Sequence, residues 1–180
     1  MPRDRRLFQQ FKKEFLGNTD IRLLDFSPSR SLYRKIKQTK KIQYFPTDLS
    51  DDFIAEYHYD ITEIPVEDNY FDSIFCYHIL EHIEQDKKAI SELYRVLKKG
   101  GKAFVQTPFK EGDIFENPDF KTEEQRLEHF GQKDHVRIYS VSGLEKRLLE
   151  AGFEVSVNRF DEDNYYGLNK NERVLLISKN

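Results

Sequence analysis

Apolar residues recur every three or four positions in four segments of the chain, the spacing that places them on one face of a helix. The predicted helices are residues 3–16, 29–37, 86–101 and 140–153. Gly17–Asn18 is a stop signal after the first helix, and Gly100–Gly101 ends the third. Ser140 is predicted to cap the fourth helix, because a serine side chain accepts a hydrogen bond from the first helical turn.

Seven other segments are short, rich in apolar residues and bounded by turn-forming residues. The predicted strands are residues 21–26, 41–45, 57–62, 70–80, 102–108, 153–160 and 172–180. The run 70–80 is apolar almost throughout, which is typical of a parallel strand covered on both faces. Strands that alternate with helices indicate βαβ crossovers. We therefore predict an α/β protein with a doubly wound, mostly parallel seven-stranded sheet.

The end of the chain departs from this alternation. Residues 161–171 join the last two predicted strands and are too short and polar for a crossover helix, so we expect an antiparallel final strand. Residues 1–180 are predicted to form a single domain, since this length suffices for one hydrophobic core. Within that domain we expect an N-terminal packing helix at 1–18 and a substrate-binding or lid insertion at the polar segment 109–139.

Charge and composition narrow the possible partners. The chain has 29 basic and 32 acidic residues and a net charge of −3, so we expect no nucleic-acid or membrane partner. The basic face of the first helix is an alternative binding surface, but a packing helix with a solvated face suits this charge better. Cys76, the only cysteine, lies in an apolar run, which excludes a disulfide and favours a cytoplasmic location. Nothing resembles a signal peptide or the roughly twenty apolar residues that span a membrane.

Three acidic residues stand at or just after the ends of the first three predicted strands: Asp25, Asp48 and Asp60. Ligands of open α/β sheets bind outside the carboxyl ends of the strands. Asp48 lies about twenty residues after the first turn, the usual distance for a carboxylate that binds ribose hydroxyls. Asp60 would suit the exocyclic amine of an adenine-like ring, with Ile61 against its face. A helix cap or a strand end explains each acid alone, but three in register favour a site.

Two segments, 60–83 and 86–108, resemble the centre of the class I S-adenosylmethionine-dependent methyltransferases of the methyltransferase type 11 group. The resemblance depends on "EDNYFDSI", "ILEHI" and "LYRVLKKGG" together. The segment 130–140, "FGQKDHVRIYS", resembles a stretch of some bacterial members. This family implies a Rossmann-like methyltransferase fold and S-adenosyl-L-methionine as cofactor. The implied activity is methyl transfer to a small molecule or glycan precursor; the alternative is a catalytically inactive binding or regulatory module.

The resemblance also implies which residues contact the cofactor. The turn after the first strand would face the methionine part, the acid after the second strand the ribose, the third acid the adenine, and the end of the fourth strand the sulfonium. The residues are Asp25, Phe26, Ser27, Ser29, Asp48, Leu49, Asp60, Ile61, Tyr77 and His78.

The first turn departs from the family pattern. These enzymes usually carry Gly-x-Gly there, whereas this chain has Phe26, Ser27, Pro28 and Ser29. Glycine allows a positive φ and a close approach of the backbone, and proline restricts φ and lacks a donor. S-adenosylmethionine has no pyrophosphate, so a nest of glycines is less necessary than for dinucleotides. We therefore predict a modified but retained cofactor site.

Methyl transfer to a hydroxyl needs a base, and near neutral pH this is most simply a histidine. His82 and His78 are four residues apart and share a face if 78–84 is helical, and His135 is a third candidate. Each has an alternative explanation as a structural histidine. The predicted substrate-binding residues are Gln132, His135, Arg137 and Tyr139; alternatively, this loop is structural and its arginine pairs with a carboxylate of the same chain.

The sequence His78-Ile-Leu-Glu-His82 also matches the zinc-binding order of the inverzincin peptidases. That chemistry needs a further carboxylate ligand and a defined helix, whereas here the pattern follows a buried strand. We therefore predict no metal.

Overall fold

The computed structural model describes residues 2–15, 20–50, 52–165 and 167–180. The stop signal Gly17–Asn18 lies outside the described residues. The first element is helix α1 (Pro2–Phe15), in which Leu7, Phe8 and Phe11 are buried. Its apolar stripe therefore packs against the rest of the chain and leaves most of its basic residues toward solvent, as expected for a packing helix.

The main sheet has six strands in the order β2-β1-β3-β4-β8-β7. Their bounds are β1 (Ile21–Phe26), β2 (Ile42–Thr47), β3 (Phe71–Tyr77), β4 (Leu97–Gln106), β7 (Glu154–Phe160) and β8 (Glu172–Ser178). Strands β2, β1, β3 and β4 are parallel, and β8 is antiparallel to both β4 and β7. The predicted fold class and the antiparallel final strand are confirmed. The strand order reverses between β1 and β3, which opens a crevice at their carboxyl ends.

The number of strands in the sheet is corrected from seven to six. The predicted strand 57–62 makes only isolated bridges, Thr47 with Tyr57 and Asp60 with Glu63. Backbone hydrogen bonds join Tyr57 to Pro46 and Asp48. The next inward amide, that of Tyr59, donates to the Thr47 hydroxyl instead, so the backbone ladder does not continue. A turn at 60–63 then ends the pairing.

The remaining long helices are α2 (Arg30–Lys37), α3 (Asp86–Val96) and α5 (Val141–Glu150). Ser140 caps α5 as predicted, accepting a hydrogen bond from the Gly143 amide at 3.0 Å. Helix α3 ends five residues before the predicted glycine stop, because Leu97 already pairs with Phe71 and begins β4.

The segment 109–139 is more regular than its polar composition indicated. It contains helix α4 (Glu123–Phe130) and a two-stranded antiparallel sheet of β5 (Phe115–Glu116) and β6 (Arg137–Ile138). Helix α4 begins with a capping box in which Thr122 and Gln125 satisfy each other's backbone amides. The role of this segment as an insertion for substrate, like the division of the chain into one domain, stays a prediction.

Successive strand residues point to opposite faces of the sheet and divide the core into two layers. Leu24 and Ile74 face the layer that contains α3 and α5, and Leu23 and Phe75 face the layer that contains α1 and α2. Cys76 is a buried free thiol, and burial raises its pKa. Among the described residues no helix has the length and apolar character that crossing a bilayer demands.

Candidate active site

A cavity of about 610 Å³ lies at the carboxyl ends of β1, β2 and β3. Its wall comes from the turns after these three strands, from Tyr59 and Ile61, from the 3₁₀ turn Leu80–His82, and from the segment after residue 131. The last two contribute Glu81, His82, Gln132, Asp134 and His135. The cavity therefore opens at the crevice that the strand order creates.

The turn after β1 contains no glycine, but it adopts a backbone conformation that glycine favours. Ser27 has a φ of +49°, in the left-handed region. Its amide donates to the Thr47 carbonyl oxygen at 2.8 Å, and its hydroxyl donates to Asp48 Oδ2 at 2.6 Å. Phe26 and Ser27 line the cavity, whereas Pro28 and Ser29 are not among its lining residues.

Asp48 stands on the cavity wall at the end of β2. It accepts hydrogen bonds from the hydroxyls of Ser27 and Ser50, at 2.6 Å and 2.9 Å, and is only 7% exposed. A carboxylate has about four acceptor positions, so two remain for neighbouring ligand hydroxyls. Leu49 also lines the cavity and is 62% exposed, and Ile61 is a buried part of the same wall.

Three of the predicted cofactor residues lie away from the cavity wall. Asp25 is buried and accepts a hydrogen bond from the Tyr44 hydroxyl at 2.7 Å. Ser29 caps α2. Asp60 Oδ1 accepts from the amide and hydroxyl of Thr62. Of the three strand-end acids, Asp48 is therefore the one that lines the cavity, because Asp25 is buried in the core and Asp60 is an exposed residue of the turn at 60–63. Their roles toward the cofactor stay predictions.

The end of β3 contributes Tyr77 and His78, both on the cavity wall. His78 also has left-handed backbone, with a φ of +57°, so the chain turns sharply as it leaves the strand. The Tyr77 hydroxyl is buried without a hydrogen-bond partner among the described residues, and burial raises its pKa.

The three predicted histidines all reach the cavity, although 78–84 is not a continuous helix. His78 Nδ1 lies 3.2 Å from Glu81 Oε1, and His82 Nδ1 lies 3.0 Å from Asp134 Oδ2. The rings of His82 and His135 meet edge to face with centroids 4.7 Å apart. Burial, followed by the proximity of His82, lowers the pKa of His135, which favours its neutral form.

The predicted substrate-binding residues separate into two groups. Gln132 and His135 line the cavity, whereas Arg137 and Tyr139 do not. Arg137 donates to the carbonyl oxygens of Leu80, at 3.0 Å, and Glu84, at 2.9 Å. This prediction is corrected for the arginine and the tyrosine, because both are buried structural groups.

Arg137 and Tyr139 both interact with carboxylates of the same chain. Arg137 Nε lies 2.9 Å from Glu116 Oε2, and the Tyr139 hydroxyl donates to Asp86. The alternative in which the arginine pairs with its own chain is therefore the one observed.

Comparison with known proteins identifies the family. The model of the family described as "Methyltransferase domain" matches residues 10–105, more than half of the chain and the whole of β1 to β3. The chain belongs to this family. The family predicted from the sequence is confirmed, and so, at the level of the family, are the enzyme class and the cofactor S-adenosylmethionine.

A curated relative of this methyltransferase domain is a probable S-adenosylmethionine-dependent methyltransferase from Mycolicibacterium smegmatis. It is 32% identical over 98 residues, which cover 54% of this chain and 34% of the relative. The match therefore spans about a third of the relative's length.

Solved structures share the fold. An S-adenosylmethionine-dependent methyltransferase from Archaeoglobus fulgidus superposes with a TM-score of 0.67 at 16% identity, covering 98% of this chain and 92% of its own. A phosphoethanolamine N-methyltransferase from Haemonchus contortus, in complex with S-adenosyl-L-methionine, has a TM-score of 0.67 at 18% identity, covering 97% and 52%. At these identities the likeness shows the fold alone.

The residues of this methyltransferase domain fit the family's cofactor. Asp48 has free acceptor positions for the ribose hydroxyls, Ile61 offers an apolar surface, and the left-handed Ser27 leaves the first turn open to the cavity. An acceptor for hydroxyls and an apolar surface are the features that the nucleoside part of the cofactor requires.

Several lining residues were not predicted from the sequence. Arg3 reaches the cavity from α1, and Phe53, which is 48% exposed, lies on its wall. Asp134 also lines it, beside His82. No local pattern marks Arg3, since only the packing of α1 brings it there. The only sequence signal for Asp134 was its position, as an acidic residue directly before the candidate base His135.

Proposed function

We propose that this chain transfers the methyl group of S-adenosylmethionine to a small molecule or glycan precursor that carries polar groups. One observation carries the proposal. The same cavity holds a carboxylate suited to ribose, Asp48, and three imidazoles, His78, His82 and His135. The cofactor, when bound, supplies an electrophilic methyl group, so the protein has to supply alignment and a proton acceptor.

At the cofactor end, Asp48 would bind the ribose hydroxyls. The hydroxyls of Ser27 and Ser50 donate to its two oxygens and hold the carboxylate in one orientation. This preorganisation lowers the entropy lost when a ligand binds. Leu49 and Ile61 would cover the apolar faces of the nucleoside.

At the acceptor end, the imidazoles would take a proton from the methylated group. The lowered pKa of His135 favours a neutral ring at physiological pH, and a neutral ring can accept a proton. Gln132 and Arg3 add hydrogen-bond donors to the same wall. Donors and a volume of about 610 Å³ suit a small polar acceptor better than a macromolecule.

The first test is calorimetric titration of the purified chain with S-adenosylmethionine and S-adenosylhomocysteine. Asp48→Ala is expected to weaken binding by roughly 1.5–3 kcal/mol, the value of a hydrogen bond to a charged group. This corresponds to about 10- to 150-fold in Kd. Asp119→Ala, an exposed acid outside the cavity, is the control and should bind like the unchanged chain.

Equal affinity of the Asp48→Ala variant and the control would remove the ribose assignment. Absence of binding by the unchanged chain at millimolar cofactor would favour the alternative, a methyltransferase-like binding or regulatory module. Release of S-adenosylhomocysteine from a panel of hydroxylated, carboxylated and amino acceptors then identifies the acceptor class.

A further inference from the structure

Glu81 is a buried carboxylate that the fold leaves unsatisfied. Its side chain is 2% exposed, and neither oxygen has a hydrogen-bond partner among the described residues. His78 Nδ1 lies 3.2 Å from Oε1 but does not complete a hydrogen bond. Burying an ionised carboxylate is costly unless it is paired or bound to a metal. Both Glu81 oxygens can therefore accept a further ligand, with the His78 ring as their nearest ionisable neighbour.

Two imidazoles stand beside this carboxylate. One ligand atom from each of Glu81, His82 and His135 lies within 4.8 Å of the other two. Zinc bonds to nitrogen or oxygen are about 2.0–2.2 Å long, so two ligands of one ion lie at most about 4.4 Å apart. Small side-chain rotations would bring the three atoms within that limit. The three residues come from the 3₁₀ turn and from the segment after α4, joined by a hydrogen bond of 2.9 Å from the Val136 amide to the Glu81 carbonyl oxygen.

The surroundings of the cluster resemble the outer shell of a metal site. His82 Nδ1 lies 3.0 Å from Asp134 Oδ2. A carboxylate that accepts from one ring nitrogen fixes the tautomer and leaves the lone pair of the other for a metal. All three residues line the cavity, so an ion bound by them would keep a coordination position accessible from it, as catalytic metal sites do.

We propose that Glu81, His82 and His135 form a binding site for one divalent transition-metal ion, with Zn²⁺ the first candidate. Two imidazoles and one carboxylate are a common donor set for zinc in open sites. The site differs from the His-x-x-Glu-His interpretation, because its second histidine is His135 and not His78. With a metal bound, the lone pairs of His82 and His135 are used for coordination, and His78 is the imidazole that remains to accept a proton in the proposed function. The proposed metal site does not depend on which acceptor the chain methylates.

The test measures metal binding directly on the full chain after treatment with a chelator and its removal. Titration with ZnCl₂ is expected to show one ion per chain, and MnCl₂ and MgCl₂ serve as comparisons. Glu81→Gln, which keeps the size of the side chain, should weaken zinc binding by at least tenfold. His129→Gln, a histidine stacked on Phe120 outside the cavity, is the matched control and should leave zinc binding unchanged.

Thermal unfolding provides a readout that does not require activity. Zinc should raise the Tm of the unchanged chain and of His129→Gln but not that of Glu81→Gln. With chelator present, Glu81→Gln should melt close to the unchanged chain, because the carboxylate that it replaces makes no hydrogen bond among the described residues. Co²⁺ bound in place of Zn²⁺ should give visible absorption bands that His82→Ala and His135→Ala weaken.

Absence of stoichiometric zinc binding by the unchanged chain would overturn the proposal without any variant. Zinc binding of equal strength in the unchanged chain and in a folded Glu81→Gln variant would also overturn it. If a histidine variant fails to fold, the comparison of Glu81→Gln with His129→Gln still decides the outcome.

Discussion

Two residues on the cavity wall have left-handed backbone, Ser27 with a φ of +49° and His78 with a φ of +57°. For residues other than glycine this conformation costs about 1–2 kcal/mol. Strain of this kind persists only where the surrounding structure enforces it, and it concentrates at functional sites. At Ser27 the side chain compensates, because its hydroxyl donates to Asp48. The serine thus combines the turn of a glycine with a hydrogen bond that glycine lacks.

This interpretation predicts a difference between two substitutions at position 27. Ser27→Ala and Ser27→Gly both remove the hydroxyl, but only glycine relieves the positive φ. We expect Ser27→Gly to be more stable than Ser27→Ala by about 1 kcal/mol in urea unfolding. Both variants should bind S-adenosylhomocysteine more weakly than the unchanged chain, since Asp48 loses one of its orienting donors. Equal stability of the two variants would show that the backbone at this position is not strained.

Asp25 makes the stability of the fold depend on pH and does not line the cavity. Burial raises the pKa of its carboxyl to about 8, the Tyr44 hydroxyl opposes this shift, and the charge of Asp4 adds to it. In the unfolded chain an aspartate has a pKa of about 3.9. Between these values the folded chain holds a proton that the unfolded chain has lost. Stability is therefore full below the unfolded pKa and falls as the pH rises toward 8.

We expect Asp25→Asn to flatten this pH dependence, because the amide is neutral throughout and can still accept from Tyr44. The unfolding free energy of the unchanged chain should fall by up to about 1.4 kcal/mol per pH unit between about pH 5 and 8, relative to the variant. Urea unfolding at a series of pH values measures this slope. Asp119→Asn, at an exposed acid, should follow the unchanged chain, and parallel curves for Asp25→Asn would contradict the assignment.

The 3₁₀ turn Leu80–His82 carries the Glu-His pair and is held by β6. Arg137 on β6 donates to the carbonyl oxygens of Leu80 and Glu84 and also to that of Ile83. Carbonyls at the end of a short turn have no partner in the turn itself. The buried guanidinium of Arg137 therefore fixes the turn that places Glu81 and His82 on the cavity wall.

Arg137→Met should destabilise the chain by roughly 3–5 kcal/mol, as for a broken buried ion pair. It removes the side-chain donor of the Ile83 and Glu84 carbonyls and leaves the Leu80 carbonyl with the Ile83 amide alone. Arg173→Met removes an exposed pair with Glu111 and should cost no more than about 1 kcal/mol. Unfolding in urea compares the two variants directly. A loss of similar size in both would mean that Arg137 does not anchor the turn.

In the whole molecule, the apolar layers and the cavity lie in different places relative to the sheet. The sheet buries one layer on each face, through α1 and α2 on one side and α3 and α5 on the other. The cavity lies at the end of the sheet, where neither layer covers it. Residues as distant in sequence as Arg3 and His135 meet there. The fold therefore separates stability, which the two faces provide, from binding, which the strand ends provide.

The sequence predicted the doubly wound sheet because short apolar strands and amphipathic helices are local patterns. It failed at 57–62, where the Thr47 hydroxyl replaces a strand pair, and at α4, whose capping box lies in a polar segment. Of the predicted cofactor residues, Phe26, Ser27, Asp48, Leu49, Ile61, Tyr77 and His78 line the cavity. Asp25, Ser29 and Asp60 do not, because neighbouring groups engage them, and this engagement has no sequence signature.

What the sequence determined by itself is the alternation of strands and helices in the main sheet, the family, and the position of an acid directly after β2. Each of these depends on residues close together along the chain. Only the tertiary structure brings His82 and His135 together beside the buried carboxylate of Glu81, whose oxygens have no hydrogen-bond partner among the described residues. It also places Arg137 in contact with the turn that carries Glu81 and His82. The physical reason is that contacts between distant residues follow from how the layers pack, and packing selects shape and volume without leaving a periodic pattern in the sequence.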